Sequence, residues 1–126
     1  MSALVARFAD VCRDDPARPL MHLPAAERAL TASAIWDAHQ RYADRLARAG
    51  VREGHLVVSA VGDTSAAPAL LLACRALDAA MMAVDACATS AEVDALAVRF
   101  GAAAVVTADR VRRSSERPRQ HSGAAA

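Results

Sequence analysis

The chain has 126 residues, a formal net charge of +1 and 55% hydrophobic residues, a size that suits one domain or part of one. No apolar run reaches the ~18 residues that a membrane span needs, and no basic segment followed by an apolar one marks a secretory leader. Aromatic residues make up only 3% and much of the apolar fraction is Ala, so the expected core is built from small side chains and is marginally stable.

Residues 3–13 are predicted as a helix, with Leu4, Phe8, Val11 and Cys12 near one face, ended by Asp14-Asp15-Pro16. Pro19 to Leu23 is predicted as a short strand and Pro24 to Arg28 as a turn. Thr31 is the expected N-cap of the next helix, whose inner face carries Ile35, His39, Tyr42 or Ala43, and Leu46. Gly50 suits the left-handed position that ends a helix. Leu56 to Val61 is nearly all apolar, which points to a strand buried on both faces, as in a parallel sheet. Asp63, Thr64 or Ser65 then caps a helix with Pro68 in its first turn and a stripe of Leu70, Leu71, Cys74 and Leu77. Met81 to Val84 is a second strand. Thr89 and Glu92 have the spacing of a capping box before a helix with the stripe Val93, Leu96, Ala97 and Phe100, ended by Gly101. Ala104 to Thr107 is a third strand. Strands and helices that alternate at this length imply an α/β fold with parallel crossovers.

The charge is unevenly placed. Residues 1–109 hold ten Arg against thirteen acidic residues, a net of −3, whereas residues 110–126 hold five Arg and one Glu, a net of +4. The body therefore carries no electrostatic footprint for nucleic acid. Residues 110–126 are polar, Arg-rich and of low complexity at their end, and are expected to be a disordered tail following a domain of residues 1–109. The chain contains no Lys and no Asn. Without Lys there is no phosphate-cradling lysine, no Schiff base and no lysine general acid.

The order of short motifs is more telling than the rhythm. Leu30-Thr31 precede a helix with Ile35, Trp36, Ala43 and Leu46, closed by Gly50-Val51. Arg52-Glu53-Gly54 precede the strand from Leu56, Gly62-Asp63-Thr64 open the helix Ala69-Leu70-Leu71-Leu72-Ala73, and Val84-Asp85 end the next strand. Gly101-Ala102-Ala103-Ala104-Val105-Val106-Thr107 close the block. This pattern resembles the N-terminal subdomain of the AMP-forming adenylating enzymes: acyl-CoA synthetases, peptide-synthetase adenylation domains and luciferases. The resemblance covers most of residues 1–109 and implies a partial parallel sheet with flanking helices, the start of such a ligase's large N-terminal domain. There are departures. The family's usual Gly-Asp reads Gly54-His55, its Asn reads Asp63, its Gly after the second helix reads Asp78, and its Pro-Leu-Asp-Pro reads Ala83-Val84-Asp85-Ala86.

The resemblance implies ATP-dependent activation of a carboxylate to an acyl-adenylate and then a thioester, using ATP, Mg²⁺ and CoA or a carrier-protein thiol. The family's Ser/Thr/Gly-rich phosphate loop, acidic metal ligand, ribose-binding Asp and catalytic Lys have no counterpart in these residues. No catalytic, cofactor-binding or metal-binding residue is therefore assigned, and this chain alone is expected to be inactive and to hold no cofactor. The expected partner is the remainder of a split ligase or a second copy, with neither nucleic acid nor membrane bound. Three widely spaced cysteines make no disulfide framework: Cys74 and Cys12 suit small core positions, Cys87 suits a loop, and a reducing cytoplasmic setting is expected.

Asp63 and Asp85 follow strands and could pair on Mg²⁺ as in a phospho-receiver, but receivers also rely on a Lys; the plainer expectation is a helix cap and a solvated loop. His22, His39 and His55 lack metal-ligand spacing. Ser59, Ser65 and Ser90 lack the Gly-x-Ser-x-Gly context of a nucleophile elbow, and Gly62-Asp63-Thr64 is no dinucleotide fingerprint.

Overall fold

The computed structural model describes residues 2–62, 64–108 and 110–114. Its centre is β3 (Leu56–Ser59), where Val57, Val58 and Ser59 are all buried. Successive strand residues face opposite sides of a sheet. Val57 accordingly packs with Leu46, Leu70 and Cys74 on one side, and Val58 with Val93, Ala97 and Val105 on the other. The two-faced burial expected of this segment is what places it inside the sheet. Its order is β4 (Ala80–Ala83), β3, β5 (Ala104–Val106) and β6 (Val111–Arg113). β4, β3 and β5 are parallel, and β6 runs antiparallel to β5.

The helices cover both faces. α2 (Ala32–Arg48) and α3 (Ala66–Ala76) share the core beside Val57, and α4 (Ser90–Arg99) covers the side of Val58. α1 (Ala3–Asp14) packs on α2 and α3, through Val5, Ile35, Ala69 and Leu72. Phe8 of α1 stacks on Trp36 of α2 with ring centroids 6.2 Å apart. A separate antiparallel hairpin, β1 (Pro19–Leu23) and β2 (Arg28–Thr31), leads into α2. Thr31 Oγ1 accepts the Ala34 N–H, so the expected cap is in place.

Three helices end in the same way. After α2, α3 and α4 the chain takes one left-handed residue: Gly50 at φ 91°, Asp78 at φ 54° and Gly101 at φ 66°. The next residue then bonds back to the last helical turn: Val51 N–H to Leu46 O at 3.0 Å, Ala79 N–H to Cys74 O at 2.9 Å and Ala102 N–H to Ala97 O at 2.9 Å. These are Schellman turns, which satisfy carbonyls that a helix end leaves open. In each, the residue after the turn is buried and the chain heads for β3, β4 or β5. α4 begins with the expected capping box, in which Thr89 Oγ1 accepts the Glu92 N–H and Glu92 Oε1 accepts the Thr89 N–H. The Thr89 hydrogen bonds hold the Glu92 carboxyl below its usual range.

Several expectations are corrected. The Arg-rich stretch foreseen as tail from residue 110 begins instead with β6, which adds to the sheet. Its neighbouring arginines point to opposite faces: Arg112 pairs with Asp94 of α4, while Arg113 donates to the Arg48 carbonyl at the end of α2 at 3.1 Å. Charge count alone could not distinguish such a strand from a solvated run. The rest of that stretch, residues 115–126, and the expected boundary at Asp109 lie outside the described residues. Arg28 to Thr31 forms a strand, of which the sequence offered only a turn at Arg28. On α1 the buried position is Val5, and Leu4 is 49% exposed, one residue (about 100°) round from the expected face. On α3 Leu71 is exposed and Leu72 buried, because α3 is covered by the sheet on one side and by α1 and α2 on another. Phe100 follows α4 rather than joining its stripe and is exposed, with the Arg99 guanidinium 5.6 Å above its ring.

Asp78 occupies a left-handed position that its two counterparts give to glycine. An L-residue there carries a steric cost that glycine avoids. Asp78→Gly is expected to stabilise the fold by about 0.5–1 kcal/mol, measured by urea unfolding, after allowing for glycine's freer unfolded chain. Cys74 is fully buried, and desolvation pushes its thiol up to about 11. The folded chain thus keeps a proton that the unfolded chain loses near pH 9. Stability from this group is complete below that pH and declines as pH climbs towards 11, by up to about 1.4 kcal/mol per pH unit. Cys74→Ala should remove that slope from an unfolding series between pH 8 and 11.

Candidate functional site

In an open parallel sheet, ligands enter at the carboxyl ends of the strands, at the point where the strand order reverses. Here that place lies between β3 and β5, since the chain passes from β3 to β4 in one direction and from β5 to β6 in the other. Beside it lie the loops that follow β3 and β4. The two loops close on each other. Gly62 has φ 68°, and a methyl group built on it would lie 2.6 Å from Ala86 Cβ. Only a residue without a side chain fits at that approach.

The acidic, hydroxyl and imidazole side chains are spread apart or spent on local structure. Asp85 is exposed, and its Oδ1 accepts the Cys87 N–H at 2.8 Å, so the side chain shapes its own turn. Asp63, its expected counterpart, lies outside the described residues. The start of α3 is served by Thr64, whose Oγ1 accepts the Ala66 N–H at 3.3 Å, whereas Ser65 occupies the cap position without a side-chain bond. Ser59 is buried at the end of β3, and Ser90 is exposed at the first turn of α4.

The three histidines sit on different elements. His22 is exposed on β1. His39 is buried on α2 as expected; its Nδ1 donates to the Trp36 carbonyl at 2.6 Å, and its ring lies 4.3 Å from that of Trp36. His55 is exposed, and its Nδ1 accepts the Arg52 N–H at 3.0 Å. A short carboxylate at this position could accept the same bond, so the departure from Gly-Asp keeps the turn. Among the described residues no group of three or more His, Cys, Asp or Glu could hold a metal ion. Cys74 is buried, Cys12 half-buried and Cys87 exposed, and all three are free thiols. No helix among the described residues is long and apolar enough to cross a membrane.

Concave surface lies elsewhere, along α2. Two grooves of about 390 and 370 Å³ flank it and share Arg45. Sequence pattern did not reveal them, because one is completed by β6 and the other by β2, the two strands whose existence was not foreseen.

No family model matches the sequence, and no curated protein does either. Solved structures do match. The chain is similar to the N-terminal domain of FACL13 from Mycobacterium tuberculosis, at TM-score 0.73 and 17% identity, over 85% of this chain and 27% of that one. It is similar to the NpsA N-terminal subdomain of Klebsiella oxytoca, solved with 3-hydroxyanthranilyl-AMSN, at TM-score 0.70 and 16% identity, over 86% and 28%. A benzoate CoA ligase from Burkholderia xenovorans LB400 matches at TM-score 0.71 and 16% identity, over 85% and 22%. The fold is that of the N-terminal domains of AMP-forming ligases, as the motif order implied. The chain spans only 22–28% of the length of these three structures.

The Gly62–Ala86 approach has a measurable consequence. Gly62→Ala should destabilise the fold by about 2 kcal/mol or more in denaturant unfolding, since it adds both a left-handed penalty and a clash. Gly50→Ala, also at positive φ but facing open space, should cost less, about 1 kcal/mol.

Proposed function

We propose that this chain is the opening part of an AMP-forming acid–thiol ligase and that it does not activate a carboxylate by itself. The supporting observation is the fold: likeness to the N-terminal domains of such ligases extends over 85% of this chain but only 27% of FACL13's domain. Making an adenylate from ATP and a carboxylate requires positive groups and Mg²⁺ around the phosphates to offset charge in the transition state. The 126 residues contain no Lys, and the loops after β3 and β4 close on each other at the Gly62–Ala86 approach. ATP, Mg²⁺ and the acceptor thiol belong, on this reading, to the remainder of a ligase. The three free thiols accord with a reducing, cytoplasmic setting.

A second reading is a non-catalytic module that docks on a partner such as a separately encoded remainder of the ligase. It is favoured by β4, an edge strand with no strand on its outer side among the described residues. Such an edge offers backbone groups to an incoming strand. A partner copurifying at fixed stoichiometry would support this reading; purification as a lone chain would count against it.

The catalytic claim is tested by pyrophosphate exchange with pure protein, ATP, Mg²⁺ and a panel of aliphatic and aromatic acids. The expected result is no exchange above a boiled control. ATP-dependent exchange stimulated by any one acid would overturn it.

A further inference from the structure

We infer that the two grooves along α2 form one docking surface for an acidic, partly apolar segment of a protein partner. Arg41, Arg45 and Arg48 recur at helical spacing, so they line one side of α2. Arg45 borders both grooves, which makes the surface continuous. One end is extended by Arg28 of β2 and the other by Arg110 and Arg113. Among the described residues, no acidic one lines either groove. Asp44 lies 3.3 Å from Arg48, and Asp94 pairs with Arg112. The concentration of positive charge contrasts with residues 1–109, whose net charge is −3.

Two features select the occupant. The first is rigidity at one end. Arg113 is held by the Arg48 carbonyl at the end of α2, so its guanidinium meets a ligand already ordered. Pre-ordered groups lose less entropy on binding. The second is the floor of the other groove, where Leu30, Ile35, Ala38 and Tyr42 provide apolar surface. Carboxylates match the arginine forks, and apolar side chains match the floor. A nucleic acid would use the charge but would find, among the described residues, only Tyr42 as an aromatic lining the grooves for stacking. From Ala34 to Arg48, α2 runs about 21 Å. An extended peptide of about six or seven residues spans that distance. The surface is separate from the β4 edge and does not depend on the catalytic reading.

The test uses the full chain and a fluorescein-labelled heptapeptide of alternating Glu and Leu, followed by anisotropy. Saturable binding is expected, weakened as salt rises from 50 to 300 mM by roughly tenfold. Arg45→Glu should weaken it by about tenfold or more, and so should Arg41→Glu, each with a thermal melt like that of the parent. Arg99→Glu, on α4 across the sheet, should bind within about twofold of the parent. Absence of saturable binding would overturn the inference. So would loss of affinity in Arg99→Glu equal to that in Arg45→Glu, unchanged affinity in both α2 variants, or tighter binding of an oligothymidylate than of the peptide.

Discussion

The architecture depends on a left-handed residue placed after each of three helices. Gly50, Asp78 and Gly101 turn the chain sharply enough for the following amide to reach back to the helix. The turn does two jobs in one step. It satisfies carbonyls that would otherwise be stranded beside the core, and it points the next residue inward. Val51, Ala79 and Ala102 are the residues so directed, and all are buried. The parallel strands then start from fixed positions, which sets their register: Leu56 opposite Ala80, and Val57 opposite Ala104. A sheet of three- and four-residue strands has few ladder bonds with which to correct an error in register. Fixed entry points supply what the short ladders lack.

The small-residue core follows from the same layout. Ala69, Ala73, Ala79, Ala97 and Ala104 are fully buried, which lets helices lie close to the sheet. Larger side chains are few and central: Leu46, Leu70 and the valines of β3 and β5. Each Ala contributes little apolar area, so the closing of polar loose ends carries more weight here than in a core rich in Leu and Phe. Arg112 and Arg113 fit this economy. They tie an edge strand to a helix on each face, using side chains whose charge would ordinarily keep them in water.

Much of this was legible in the residues. The capping box at Thr89 and Glu92, the cap at Thr31, the glycines at 50 and 101 and the doubly buried strand at Val57-Val58 each have a local chemical signature, and each holds. The order of these motifs also pointed to the ligase fold that structural likeness bears out. What escaped was set by neighbours. Val111-Arg112-Arg113 reads as polar tail because its partners, Asp94 and the Arg48 carbonyl, are remote in sequence. Leu71 and Phe100 fit a helical stripe, yet which positions along a stripe are covered depends on where the next layer stops. The grooves beside α2 were invisible for the same reason, since each needs a strand from elsewhere to form its wall.

The Arg113 bond to the Arg48 carbonyl spans 65 positions of chain. At a translation rate of about 5–20 residues per second, α2 waits several seconds after its own synthesis before the group that finishes its end exists. During that interval the helix has a Schellman turn but no arginine beneath its last carbonyl, and β5 has no strand on its outer side. Closure of this side of the molecule therefore waits on the synthesis of three residues at the far end of the sheet.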